Sequence, residues 1–189
     1  MTIKLGVVMD PIGGIRFHKD STLAMLLAAQ KRGWQLYYME QGDLFLQDGR
    51  CYASSRQLEV RADETDWFTL HAPQTAPLDD LDVILMRKDP PFDMEYIYTT
   101  YILDRAALKG ALVVNDPEAL RNINEKAYTA WFPELAPRTL VTRSMDAMRA
   151  FLAEHGHVVV KPLHGMGGAS IFVIRKGDNN ANVVFETLT

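Results

Sequence analysis

The sequence has little cysteine, no long hydrophobic run and no strong excess of charge. Cys51 is the single cysteine among 189 residues, which excludes a disulfide scaffold and a cysteine-rich zinc site. No segment approaches the roughly 20 apolar residues of a membrane-spanning helix, and no signal peptide is recognisable. The net charge of −4 argues against a partner with a phosphate backbone. We therefore expect a cytoplasmic protein that binds neither membrane nor nucleic acid.

What the sequence does contain is typical of a folded globular protein. Hydrophobic residues make up 48% and charged residues 23% of the chain, which excludes disorder as its main state. The length fits one domain or one and a half. The five histidines show no spacing typical of metal ligands, and His155 and His157 flank Gly156 at a predicted helix end.

The N-terminal segments alternate between strand and helix. Residues 5–9 and 35–39 are short apolar runs that predict buried strands, and the helix between them is predicted to be capped by Asp20 or Ser21 and to stop at Gly33. Further strands are predicted at 81–86 and 111–114, and a further helix at 94–109. A short helix is predicted to follow, with Asp116 as its N-terminal cap and Pro117 as its first residue. Strands that alternate with helices predict a parallel α/β sheet.

Between these elements the pattern changes. Asp48-Gly49 separates two apolar triplets, 44–46 and 51–53, which predicts an antiparallel hairpin in a small insertion or edge ribbon. Residues 72–80 contain two prolines and are predicted to be a loop.

After Asn122 the chain becomes slightly basic, which is a weak indication of an anionic ligand. We predict helices at 125–132 and after Ser144, and strands at 139–141, 158–161, 171–174 and 183–185. A domain boundary is therefore expected between residues 122 and 123.

A glycine-rich loop joins two predicted strands at residues 161–170. Loops of this kind let backbone N–H groups approach phosphate oxygens, and Lys161 on the preceding strand could neutralise phosphate charge. It is neither a Walker loop nor a dinucleotide-binding fingerprint, because neither pattern is present. On spacing alone, a flexible hairpin with an incidental lysine is an equally good interpretation. The second cationic candidate, Lys126 in Asn124-Glu125-Lys126, reads by itself as a solvated helix face.

Polar residues also follow two of the predicted parallel strands. Arg87, Lys88 and Asp89 come directly after residues 81–86, and Asp10 follows the first strand. Ligands bind at the carboxyl ends of strands in open α/β sheets, where an arginine can hold a carboxylate and an aspartate an ammonium. A polar loop terminated by prolines is the alternative interpretation.

Four segments together, 4–11, 82–93, 124–126 and 161–172, resemble the bacterial glutathione synthetase family of the ATP-grasp superfamily. The resemblance runs along the whole chain. It implies an N-terminal parallel-sheet, Rossmann-like (pre-ATP-grasp) domain over residues 1–122. Residues 123–189 would then begin an incomplete ATP-grasp domain, with an α+β small subdomain.

The resemblance implies an ATP-dependent ligase that joins γ-glutamylcysteine to glycine through an acyl phosphate. Lys126 and Lys161 would be the catalytic lysines that contact the ATP phosphates. The substrate-side residues would be Asp10, Arg87, Lys88 and Asp89. The loop residues that would bind the phosphates are Gly165, Met166, Gly167, Gly168, Ala169 and Ser170.

The family chain continues well past Thr189, and its Mg²⁺ ligands are expected there, with none within residues 1–189. We therefore expect residues 1–189 alone to be inactive as a ligase, and the resemblance further implies a homo-oligomer, either a dimer or a tetramer. Two alternatives stay open at this point. One is another ATP-grasp peptide or amino-acid ligase, and the other is a non-catalytic module for oligomerisation or ligand binding.

Overall fold

The computed structural model describes residues 2–88, 91–165 and 168–189. The chain divides after Asn122 into two units, which we call unit 1 (residues 1–122) and unit 2 (residues 123–189). Each unit has helices, strands and a hydrophobic core of its own.

Unit 1 is built on a mixed sheet of seven strands. The strands are β1 (Lys4–Val8), β2 (Gln35–Met39), β3 (Leu44–Gln47), β4 (Arg50–Val60), β5 (Phe68–Pro77), β6 (Val83–Met86) and β7 (Leu112–Val114). Strands β2, β1, β6 and β7 are neighbours in that order and run parallel. Strand β4 joins this part of the sheet by pairing antiparallel with β2, and it also pairs with β3 and β5. The predicted α/β fold is thus confirmed, and the predicted hairpin extends the main sheet.

Two helices connect parallel strands, α1 (Ser21–Lys31) between β1 and β2 and α2 (Met94–Ala107) between β6 and β7, and a third helix, α3 (Pro117–Asn122), follows β7. Asp20 caps α1 by accepting a 2.7 Å hydrogen bond from the Leu23 N–H. Asp116 caps α3 in the same way through the Ala119 N–H at 2.9 Å. These short polar side chains satisfy N–H groups that have no partner within the helix.

Strand β1 is buried on both faces from Leu5 to Val8, and its successive side chains point to opposite sides of the sheet. Leu5 and Val7 of β1 pack with Leu26 of α1. Val8, their neighbour in β1, lies in a second cluster with Leu103 of α2. The carboxyl ends of β1 and β6, where the polar residues follow, are therefore held between two packed layers.

The prediction of a loop at residues 72–80 is wrong, because β5 continues to Pro77. Among the described residues, strand β5 pairs with β4 alone, so it lies at an edge of the sheet, where a residue without an N–H is tolerated. Pro73 faces Arg56 immediately before a shift in register. Prolines that indicate a loop locally are thus compatible with an edge strand.

Unit 2 pairs β8 (His157–Val160) antiparallel with β9 (Phe172–Arg175). It also contains a 3₁₀ helix, Ala127–Trp131, and the helices α4 (Met145–His155) and α5 (Ala181–Leu188). Its core consists of Leu152, Ile174 and Phe185. In neither unit is a described helix long and apolar enough to cross a membrane.

Three predictions for unit 2 need correction. Residues 183–185 lie in α5 and not in a strand, because Ala181, Val184, Phe185 and Leu188 fall at the i, i+3, i+4 and i+7 spacing of a helix face. Residues 139–141 form neither helix nor strand, and Leu140 and Val141 are exposed. The helix predicted at 125–132 is shorter and of the 3₁₀ type, Ala127–Trp131.

Candidate functional site

In unit 1, the parallel pairing of β1 with β6 brings Asp10 and Lys88 together. Val8 and Met86 are register partners at the ends of these strands. Two residues further along each strand, Lys88 Nζ lies 2.7 Å from Asp10 Oδ1, with the lysine side chain 16% exposed and the aspartate 49% exposed. The structure therefore unites these two predicted substrate-side residues as an ion pair.

Arg87 turns to the beginning of α1 instead. Its Nε donates to Thr22 Oγ1 at 3.0 Å and its Nη2 donates to Ser21 Oγ at 2.9 Å. Both acceptors are neutral, and among the described residues no carboxylate forms an ion pair with this guanidinium. A positive charge beside the N-terminal end of a helix, which is itself electropositive, suits an anionic group. The fourth substrate-side candidate, Asp89, lies outside the described residues.

Sequence reasoning missed the two hydroxyl residues that orient Arg87. Ser21 and Thr22 are the first two residues of α1, and the sequence predicts for Ser21 only the role of a possible helix cap. A hydroxyl pair at a helix start, close to a strand-end arginine in a parallel sheet, was the available signal.

In unit 2, the glycine-rich loop connects β8 to β9. Gly165, Gly168 and Ser170 have φ angles of 127°, 80° and 57°, a region that glycine occupies without strain and other residues rarely occupy. Lys161 is exposed and comes directly after β8, and Ala169 and Ser170 are exposed in the turn before β9. Met166 and Gly167 lie outside the described residues.

Lys126 is in contact with this loop. Its Nζ donates to the Gly165 carbonyl at 2.8 Å and lies 3.5 Å from the Leu163 carbonyl. The same ammonium pairs with Glu125 Oε1 at 2.9 Å. The structure thus brings Lys126 onto the predicted phosphate loop. For Lys161, the described part of unit 2 shows no hydrogen bond or ion pair of the side chain.

Asn124 holds Lys126 in this position. Its Oδ1 accepts hydrogen bonds from the N–H groups of Lys126 and Ala127, at 3.0 and 2.9 Å, and its Nδ2 donates to the Leu163 carbonyl at 3.4 Å. One side chain therefore both caps the 3₁₀ helix and reaches the loop. Sequence reasoning included Asn124 in a motif without giving it a role, although asparagine before a helical turn is a recognised cap signal.

A divalent cation has no evident site in the described ranges. They contain no group of three or more His, Cys, Asp or Glu side chains that could hold a metal ion. The acidic residues close to the two sites, Asp10 and Glu125, are each paired with a lysine.

Comparisons with known proteins cover the whole chain. The family model for the prokaryotic glutathione synthetase N-terminal domain matches residues 3–121, and the model for the ATP-grasp domain of the same enzyme matches residues 125–189. Glutathione synthetase of Yersinia pestis is 59% identical over 187 residues, and that of Escherichia coli is 57% identical. The alignments include 99% of this chain and 59% of each relative. The chain thus spans less than two thirds of the length of the relatives it matches.

Solved structures support the same fold at lower identity. D-alanyl-alanine synthetase A from Vibrio cholerae superposes with a TM-score of 0.56 at 17% identity, over 98% of this chain and 56% of the other. The ATP-grasp ligase PsnB complexed with a minimal precursor gives 0.53 at 20% identity, over 96% and 59%. At these identities the likeness concerns the fold alone. On the two domain matches and the high sequence identity, the chain belongs to the prokaryotic glutathione synthetase family.

Proposed function

We propose that this chain is the substrate- and phosphate-binding part of an ATP-dependent carbon–nitrogen ligase that makes glutathione. In this reaction, the cysteinyl carboxylate of γ-glutamylcysteine attacks the γ-phosphorus of ATP, and ADP leaves. The amine of glycine then attacks the resulting acyl phosphate and loses a proton, and inorganic phosphate leaves. Residues 1–122 serve the substrate side and residues 123–189 serve the phosphate side.

The observation that carries the proposal is the contact of Lys126 with the glycine-rich loop. A lysine whose Nζ lies 2.8 Å from a loop carbonyl is close enough to serve phosphate oxygens held by the N–H groups of that loop. Phosphoryl transfer depends chiefly on positioning and on stabilising charge on the transferring oxygens. Lys126 and Lys161 fit this task, with Gly165, Gly168, Ala169 and Ser170 as loop partners, together with Met166 and Gly167.

On the substrate side, the chemistry of the strand ends fits a peptide with carboxylates. Arg87 offers a guanidinium that is held by two neutral hydroxyls, and it can bind a carboxylate with two parallel hydrogen bonds. Asp10 and Lys88 offer one charge of each sign, and Asp89 completes the set of proposed substrate-binding residues.

Mg²⁺ belongs to the proposed reaction, but the described residues offer it no donor set. We also propose that the protein works in the cytoplasm, which the single cysteine supports, and as a homo-oligomer, which sedimentation velocity of the purified protein tests.

The proposal is tested in a full-length hybrid enzyme. A hybrid protein, in which residues 1–189 replace the matching segment of the Escherichia coli relative, is assayed for glutathione and ADP from γ-glutamylcysteine, glycine and ATP. We expect both products in equal amounts. In the same hybrid, Lys126→Ala and Lys161→Ala are each expected to lower kcat/KM for ATP by about 100-fold or more.

Lys176→Ala is the matched control, because Lys176 is an exposed lysine of unit 2 that follows β9. We expect it to keep the activity of the unsubstituted hybrid. A folded hybrid that forms no glutathione, or one in which Lys126→Ala and Lys161→Ala behave like Lys176→Ala, contradicts the proposal. An amine or peptide substrate preferred over glycine and γ-glutamylcysteine would instead favour another ATP-grasp ligase.

A further inference from the structure

A cavity of unit 1, of about 330 Å³, is used by none of the contacts described so far. It opens beside the carboxyl ends of β1 and β2 and is lined by charged groups of both signs and by an apolar wall. The charged and phenolic members are Tyr38, Glu40, Asp43 and Arg56, and the apolar wall includes Phe68 and Leu70.

The pairing of β2 with β4 brings these side chains to one face of the sheet. Tyr38 and Arg56 are register partners, and directly opposite residues of an antiparallel pair have side chains on the same face. Glu40 follows β2 two residues after Tyr38. Asp43 ends the one-turn 3₁₀ helix Gln41–Asp43 that leads into β3. The cavity is therefore formed by a long-range strand pairing.

Hydrogen bonds fix the floor of the cavity. The Tyr38 hydroxyl donates to Glu40 Oε1 at 2.5 Å and accepts a 3.3 Å bond from the Ile12 N–H. Burial and this bond to Glu40 raise the pKa of the Tyr38 phenol above its ordinary value. The Trp67 indole N–H holds the Ile12 carbonyl at 3.1 Å. The phenol thus stays neutral, and these hydrogen bonds hold Glu40 and the segment around Ile12, which follows β1, in place.

In the part of the chain that the structure describes, the charged groups of the cavity form no ion pair with one another. Among the described residues, the Arg56 guanidinium has no ion pair or hydrogen bond, although two carboxylates line the same cavity. Asp43 Oδ2 accepts the Glu40 N–H at 2.8 Å, and within the described ranges Asp43 Oδ1 has no hydrogen bond. A cation and an anion that share a cavity without pairing leave both available to a ligand that carries the opposite charges.

We propose that this cavity binds the zwitterionic head of an α-amino acid, with the α-carboxylate on Arg56 and the α-ammonium between Glu40 and Asp43. An arginine fork matches a carboxylate, and two carboxylates match an ammonium with three donors. The volume is in the range of small-molecule pockets, and the apolar wall covers the aliphatic part of the ligand. The identity of the ligand rests on the proposed function, because the γ-glutamyl end of γ-glutamylcysteine carries such a head.

The experiment follows ¹⁵N–¹H spectra of residues 1–189 during titration with four ligands. γ-Glutamylcysteine and L-glutamine both present the complete head and a γ-amide. 4-Aminobutanamide lacks the α-carboxylate, and glutaric acid monoamide lacks the α-ammonium. We expect the two complete ligands to shift the resonances of residues 38–43 and 56–58, and the two truncated ligands to bind at least about tenfold more weakly.

Two variants assign the charges. Arg56→Gln is expected to weaken the binding of glutamine about tenfold or more and to leave that of 4-aminobutanamide unchanged. Asp43→Asn, which keeps an oxygen for the Glu40 N–H, is expected to weaken glutamine and to leave glutaric acid monoamide unchanged. Arg50→Gln is the control, since Arg50 lies in the same strand but pairs with Asp79, and it should bind all ligands as the unsubstituted chain does.

The results separate this proposal from the ligase proposal. A hybrid that makes glutathione, together with ligand shifts that fall elsewhere or do not distinguish the truncated ligands, overturns the zwitterion site alone. Shifts at residues 38–43 and 56–58 that Arg56→Gln removes support the site even where the hybrid makes no glutathione. Unchanged glutamine affinity in both variants, with their spectra otherwise native, also overturns it.

Discussion

At the scale of single residues, Asn124 has the most consequential contacts in unit 2. Its carbonyl oxygen accepts hydrogen bonds at the start of a 3₁₀ helix, while its amide group donates to the Leu163 carbonyl of the glycine-rich loop. The direct contact with that loop, however, is made by Lys126, whose 2.8 Å bond to the Gly165 carbonyl is much the shorter. We therefore expect Asn124 to be a positioning residue that acts through the lysine two positions later.

Asn124→Ala is expected to raise KM for ATP in the hybrid about tenfold while changing kcat less, because Lys126 loses its fixed backbone. Asn124→Ser should restore most of the affinity, since serine can cap the helix although it is too short to reach Leu163. ATP-dependent initial rates measure both constants. Asp178→Ala is the control, because Asp178 accepts the Asn180 N–H in a similar turn of unit 2 and does not belong to the loop at residues 161–170. Equal KM values for Asn124→Ala and Asp178→Ala would contradict the positioning role.

Asp79 provides a test by pH. Burial opposes its ionisation, but the hydrogen bonds from Arg50 outweigh burial and hold the pKa of Asp79 below its ordinary value. A carboxyl with a lowered pKa in the folded state stabilises the protein above its ordinary pKa and loses that contribution as the pH falls through the folded value. The unfolding free energy of unit 1 should therefore decline below about pH 4.

Asp79→Asn should remove this part of the acid-dependent decline, as measured by urea unfolding between pH 3 and pH 6. Asp80→Asn serves for comparison, because Asp80 lies 4.0 Å from the same guanidinium and has no hydrogen bond to it among the described residues. The same acid dependence in the unsubstituted protein and in Asp79→Asn would show that the Arg50 contact does not contribute.

At the scale of secondary structure elements, β1 depends on a residue without a side chain. A Cβ atom built on Gly6 would lie 2.6 Å from Leu81 Cδ1 and 2.8 Å from Met39 Cε. Both neighbours are the ends of flexible side chains, so they can move, but only by disturbing a closely packed core. The glycine lets β1 lie close to these side chains.

Gly6→Ala is therefore expected to lower the unfolding free energy of unit 1 by about 1–3 kcal/mol, the usual cost of overpacking a core. Gly14→Ala is the matched control, because a Cβ there meets no atom within 4 Å, and its effect should stay within about 0.5 kcal/mol. Chemical denaturation monitored by tryptophan fluorescence measures both. A Gly6→Ala protein as stable as Gly14→Ala would show that Leu81 and Met39 repack without cost.

The elements also show which features could be predicted from sequence. The caps at Asp20 and Asp116 and the hairpin at Asp48-Gly49 are local signals, and all three are confirmed. Strand β5 was missed because its prolines are acceptable only at an edge, and edge position is a property of the whole sheet. Helix α5 was missed because Val183, Val184 and Phe185 have high strand propensity, whereas packing onto the unit 2 core decides the outcome.

The same distinction applies to the sites. Lys126, Lys161 and the glycine-rich loop lie within motifs that can be recognised in the sequence, so the family resemblance predicted them as site residues. The cavity at Tyr38 and Arg56 arises from the pairing of two residues that lie 18 positions apart in the sequence, and neither residue belongs to a motif. No local pattern in the sequence specifies that juxtaposition.

At the scale of the whole molecule, each unit has its own hydrophobic core, so each is expected to unfold in a transition of its own. The core of unit 2 is small, and Phe185 is its largest buried side chain, with 1% of its surface exposed. Phe185→Ala should cost about 3–5 kcal/mol, which is comparable to the stability of a domain this small. Calorimetry should then show two transitions for the unsubstituted protein and one for Phe185→Ala.

Val183→Ala is the control, because Val183 lies in the same helix and is 60% exposed; it should leave both transitions in place. A single transition that Phe185→Ala shifts as a whole would mean that the two units unfold together.

The single cysteine, Cys51, allows the local opening of unit 1 to be measured. Cys51 is 1% exposed in β4, and burial raises the pKa of its thiol, so the native protein presents almost no reactive thiolate. A maleimide reagent can modify it only when that part of the sheet opens. Because the chain has no second cysteine, the rate of labelling reports how often β4 opens, and β4 is also the strand that carries Arg56. A ligand that binds to β4 should lower the rate at which Cys51 is labelled, and this measurement requires no catalytic activity.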